Sequence, residues 1–95
     1  MTYDEKKKRW WAWHKKNIRV WNQFQRFAME AVDNGRTKIS HHIVIDRIRW
    51  ETAIVSTGED VKISHDYAAF YARLWKVTYP QYADLFRTKR MKGEH

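Results

Sequence analysis

Ninety-five residues suffice for one domain and leave no room for a second core. The absence of cysteine excludes a disulfide framework and a thiolate zinc site. Nineteen Lys/Arg against eleven Asp/Glu give a net charge of +8, and nowhere is there a run of about 18 apolar residues to span a bilayer. The first five residues, Met1 to Glu5, lack the apolar run of a signal peptide, so the expectation is a soluble protein of the cytoplasm with no membrane partner. The charge lies toward the ends. Residues 1–39 carry ten basic and four acidic residues, residues 40–86 five and six, and residues 87–95 four and one.

In chain order, Thr2 and Glu5 have the spacing of a capping box and predict a first helix running to about Lys16. Its apolar content is almost wholly Trp10, Trp11, Ala12 and Trp13. Trp10 and Trp13 share a face, and Trp11 points toward the side of Lys7 and Lys15. Asn17 is the expected cap of a second helix from Ile18 to Asn34. There Val20, Trp21, Phe24, Phe27, Ala28, Ala31 and Val32 recur at three and four, and Asn34-Gly35 ends the pattern.

Lys38-Ile39-Ser40-His41 and Lys62-Ile63-Ser64-His65 repeat one tetrapeptide, each placing a serine where a helix N-cap is expected. The third helix, Ser40 to about Glu51, is apolar on more than one side: Ile43, Trp50 and Ile54 align on one stripe, Val44 and Ile48 on another. Arg47 and Glu51 are placed to pair across one turn. The β-branched runs Ala53-Ile54-Val55 and Val61-Lys62-Ile63 flank Thr57-Gly58-Glu59-Asp60 and predict a short hairpin, with helix left open at its start. Ser64 or Asp66 then caps a fourth helix with an aromatic face of Tyr67, Phe70, Tyr71, Leu74 and Trp75. Pro80 stops it and begins a short helix with Tyr82, Leu85 and Phe86.

The fold class that follows is mostly α: a small helical domain of four to five helices with one short β-hairpin between helices three and four. It spans residues 1–88, and a flexible basic tail, 89–95, follows. A winged-helix-like arrangement fits this order, but the hairpin tip Glu59-Asp60 is acidic and would face phosphates. The expected core combines Trp21, Phe24, Phe27, Ile43, Ile48, Phe70, Tyr71 and Leu74.

His41, His42, His65 and Asp66 would make a sensible metal shell if the two capped helix starts lay side by side. Adjacent His41 and His42 diverge on a helix, however, and no zinc motif is present, so neither metal nor cofactor is expected. His14 is expected to be solvated. The acids are scattered and the three glycines form no phosphate loop, so catalysis is not expected either. Lys6 to Arg19 contains seven Lys/Arg and no acid. Lys6, Lys7, Lys8, Arg9, Lys15, Lys16 and Arg19, with Arg87, Lys89 and Arg90 of the tail, are the expected phosphate contacts, and Trp11 is the expected stacking ring for DNA or RNA.

Trp21, Phe24, Phe27-Ala28, Gly35, Ser40, the run Arg47-Ile48-Arg49-Trp50-Glu51-Thr52, Lys62-Ile63, Tyr71-Ala72-Arg73-Leu74, Tyr79-Pro80 and Phe86-Arg87 form one pattern. It resembles a family of short, largely uncharacterised proteins of bacteriophages and prophages; Ser64-His65-Asp66 departs from it. The resemblance implies a phage product acting in the cytoplasm of a bacterial host and carries no site residues. The expected function is a nucleic-acid-binding accessory or regulatory protein. The alternative is a non-catalytic inhibitor or modulator that binds a host protein complex, such as a defence nuclease.

Overall fold

The computed structural model describes residues 1–56, 58 and 62–94. Four α-helices, α1 (Tyr3–Lys16), α2 (Ile18–Asp33), α3 (His41–Trp50) and α4 (His65–Thr78), are joined by two shorter helical pieces. A π-helical turn, Glu51–Ser56, prolongs α3, and a 3₁₀ segment, Pro80–Leu85, follows α4.

The helix ends obey local chemistry. The Thr2 hydroxyl accepts from the Glu5 N–H and donates to the Glu5 carboxylate, each at 3.2 Å, so Thr2 caps α1 as expected, with Glu5 on its hydroxyl. The Ser40 hydroxyl accepts from the His42 N–H and the Ser64 hydroxyl from the Tyr67 N–H, both at 3.2 Å, so the repeated tetrapeptide caps two helices. Asn17 does otherwise than expected. It makes no side-chain cap on α2 and instead donates from Nδ2 to the Trp13 carbonyl at 2.8 Å, finishing α1. Gly35, at φ +80, takes the left-handed turn after α2, and the Arg36 N–H returns to the Ala31 carbonyl at 3.0 Å.

Aromatic rings from three helices make the core. Trp21 and Phe24 of α2 each lie within 5.9 Å of the Tyr71 ring of α4, and Trp10 of α1 stacks on Phe70 at 5.3 Å. Phe86 closes the core from below, 5.3 Å from Phe24 and 5.9 Å from Trp75. Trp75 donates from Nε1 to the Tyr82 carbonyl (3.0 Å) and Lys76 to that of Ala83 (2.9 Å), binding the 3₁₀ segment to α4. Two core expectations change. Ile43 is 64% exposed and Ile45 is buried in its stead, while Leu74 is only partly covered.

The β-hairpin is not seen. Its first arm, Ala53 to Val55, is helical, and no sheet occurs among the described residues; Thr57, Glu59, Asp60 and Val61 lie outside them. Extending an existing helix adds a hydrogen bond for each residue fixed, whereas a hairpin must first close its loop. The β-branched side chains that suggested strands cost only about 0.5 kcal/mol each in a helix. The Thr52 hydroxyl donates to the Ile48 carbonyl at 2.9 Å, and the Gly58 N–H reaches back to the Thr52 carbonyl at 3.0 Å. The arrangement is therefore helical without a described wing.

Candidate nucleic-acid interface

One short contact organises the polar end of the molecule. The Ile39 N–H donates to the Leu85 carbonyl at 2.8 Å, and Ile39 and Phe86 form an isolated parallel β-bridge. With Phe86 locked in the core, this bridge sets the strand entering α3 beside the strand leaving the 3₁₀ segment. Lys38 and the first turn of α3 thereby come next to Arg87, Lys89 and Arg90.

Lys89 and Arg90, expected at the start of the tail, take part in hydrogen bonds with Arg73 and Glu94. Arg73 of α4 holds Glu94 with a two-pronged ion pair, Nε to Oε2 at 2.5 Å and Nη2 to Oε1 at 2.8 Å, and also donates to the Lys89 carbonyl at 2.6 Å. The Met91 N–H donates to Glu94 Oε1 and Arg90 Nε to the Glu94 carbonyl, both at 2.8 Å. Gly93, at φ +83, passes Tyr3 so closely that a Cβ built on it would stand 3.1 Å from the Tyr3 Cβ. Hydrogen bonds from Arg73 hold the Glu94 carboxyl down to about 2. His95 lies outside the described residues.

The expected site residues fall into separate groups. Arg87, Lys89 and Arg90 line a cleft of about 710 Å³ with Lys38, His41, His42 and His65. Lys6 and Arg9 line a neighbouring cleft of about 600 Å³ with Arg49 and Lys62, and the two clefts share Asp66 at the start of α4. Lys7, Lys8 and Trp11 line a third hollow on α1 with Asp4. Lys15, Lys16 and Arg19 are exposed around the α1–α2 corner.

The two capped helix starts do lie side by side. The His42 and His65 rings are 5.6 Å apart and those of His41 and His42 4.3 Å. Among the described residues no group of three or more His, Asp or Glu is arranged to hold a metal ion. Burial pushes His41 down to about 4, and the nearby His42, Arg73 and His65 push the same way, so it is neutral at neutral pH. His14, expected in solvent, is buried; its Nδ1 lies 3.0 Å from the Tyr71 hydroxyl, and burial lowers its pKa. It belongs to the core.

Sequence reasoning missed Lys38 as a cleft residue and weighed His41, His42 and His65 together only as metal ligands. The signal was the repeat itself: both copies place a lysine two residues before the capping serine and a histidine directly after it, giving two helix starts the same chemistry. No family model, curated protein or solved structure matches the chain significantly. Among the described residues no helix is long and apolar enough to cross a membrane.

Proposed function

We propose that the protein binds nucleic acid as a small accessory or regulatory protein, with α1 as a contact surface. One observation carries this reading: Trp11 is 45% exposed and lines a hollow with Lys7 and Lys8, whereas Trp10, Trp21 and Trp75 are buried. An exposed ring beside cations offers base stacking, worth about 1–3 kcal/mol per base, next to phosphate neutralisation. The resemblance to phage proteins adds a bacterial cytoplasm as the setting. Lys6 contributes less than its neighbours, because it is already 3.6 Å from Asp66.

Labelled single- and double-stranded oligonucleotides titrated at several salt concentrations test this. Lys7→Gln with Lys8→Gln should flatten the log-log salt slope by up to about 0.7–0.9 per lost phosphate contact. Trp11→Ala should weaken single strands more than duplex. Absence of binding by the native chain at low salt sinks the proposal.

A separate observation favours the alternative, a protein partner such as a host complex. Ile43, Trp50 and Ile54 form an exposed stripe, 64%, 59% and 64% exposed, and Val55 adds to it. Large apolar side chains exposed along one helix and its extension are a feature of interaction sites. A nuclease-resistant partner captured from bacterial lysate by the native chain and lost with Trp50→Ser would favour that reading over nucleic acid.

A further inference from the structure

We propose that the cleft between the α3 and α4 N-termini is a phosphate-binding site, taking the phosphate ester group of a free nucleotide or of a nucleic-acid strand. It rests on different residues from the α1 surface and stands whether or not Trp11 stacks on bases.

The lining sets the sign of the ligand. Lys38, Arg87, Lys89 and Arg90 face one concavity, edged by His42 and His65. The one carboxylate among the lining residues is Asp66, whose Oδ2 lies 3.6 Å from Lys6 in the adjoining cleft. Several cations around one hollow repel each other, a cost that a bound anion removes. α3 and α4 also begin at this cleft, and the positive ends of their dipoles add to the same field.

The size and stiffness of the cleft narrow the ligand further. About 710 Å³ falls in the range of small-molecule sites and exceeds what a lone inorganic ion needs. The cationic segment is held in advance: Arg73 fixes the Lys89 carbonyl and the Glu94 carboxylate, and the Ile39–Phe86 bridge fixes Arg87 beside Ser40. A backbone held before the ligand arrives leaves only the side chains to be ordered on binding. Arginine forks match the paired oxygens of phosphate and carboxylate alike, and it is the gathering of Lys38, Arg87, Lys89 and Arg90 around one hollow that favours the more highly charged phosphate ester. Neutral His41, half-buried behind this rim, supplies a hydrogen-bonding ring without adding charge.

The test is titration of the full chain at low salt with adenosine monophosphate and, separately, with a short single-stranded oligonucleotide, followed by amide chemical shifts and calorimetry. The native chain should show shifts centred on residues 40–42 and 64–66. Arg87→Gln with Lys89→Gln, both exposed side chains, should weaken binding at least about tenfold, while Arg26→Gln, on the exposed face of α2 away from both surfaces, should leave the monophosphate affinity unchanged. Cleft-dependent binding of the monophosphate identifies a free nucleotide as the source. Cleft-dependent binding of the oligonucleotide alone identifies the strand. Failure of both ligands to bind, shifts that avoid the two helix starts, or affinity indifferent to the Arg87 and Lys89 changes overturns the site. Loss of oligonucleotide binding only in the Lys7, Lys8 and Trp11 variants would overturn the cleft and leave the α1 surface standing.

Discussion

α1 and α3 each depart from what their compositions suggest. α1 is rich in charge with a narrow apolar band, yet it buries Trp10 against Phe70 and Tyr71 and places His14 on the Tyr71 hydroxyl. α3 is apolar on more than one side, yet only Val44, Ile45 and Ile48 are covered, while Ile43, Trp50 and, just beyond it, Ile54 face water. Hydropathy states how much apolar surface an element carries. How much is covered depends on the neighbours within reach: α3 packs against both α2 and α4, but only through the side that carries Val44, Ile45 and Ile48.

The comparison breaks most sharply at the two tryptophans. Trp10→Ala should cost about 3–5 kcal/mol in denaturant unfolding, because it empties a ring-sized space in the core. A loss below about 1 kcal/mol would show that α1 only rests on the surface. Next in size is Tyr71→Phe, which leaves the buried His14 Nδ1 without its hydroxyl partner and should cost about 1–3 kcal/mol.

Acid sharpens the same contrast. His14 and His41 both have folded pKa values below the ordinary 6.5, so the unfolded chain binds protons that the folded chain refuses. Their contribution to stability is complete above about 6.5 and falls with pH, for His41 down to about 4. Glu94 acts in the next window. Its depressed carboxyl stabilises the fold above the unfolded value of about 4.5, and this is lost as pH falls through about 2. Melting temperature should therefore decline in two stages, and His41→Gln should reduce the first. An unchanged profile in that variant would show that His41 takes up protons in the folded state.

Smaller effects should come from the caps and the exposed stripe. Ser40→Ala and Ser64→Ala should each cost about 0.5–2 kcal/mol, since each frees one first-turn N–H from its acceptor. Trp50→Ala should change stability by no more than about 0.5 kcal/mol, although it removes as large a ring as Trp10→Ala. A large loss there would mean that a second molecule covers the stripe in solution.

Much of the helical framework was legible because it is local. Capping serines, the Thr2–Glu5 box, Gly35 and Pro80 act over three or four residues, and the periodicity of α2 names its buried face without help from the rest of the chain. The Arg47–Glu51 pair, at 3.1 Å, is of the same kind. The hairpin was misread because β-branched residues record a preference that an adjoining helix outweighs. The basic residues were visible as a composition, but their division among separate hollows was not.

The amino-acid sequence by itself determined where the helices begin, which faces could be apolar, and that the chain's ends carry the positive charge. Only the tertiary structure decided which apolar faces are covered, that His14 lies inside, and that Arg87, Lys89 and Arg90 join Lys38 around the paired starts of α3 and α4. The physical reason is distance along the chain. Caps and turns are settled by neighbours within one helical turn. The Ile39–Phe86 bridge joins residues from opposite halves of the chain, and the Arg73–Glu94 pair spans 21 residues. The first depends on Phe86 packing against Phe24 and Trp75, and the second on α4 meeting the C-terminal segment, so no short stretch of sequence contains the information.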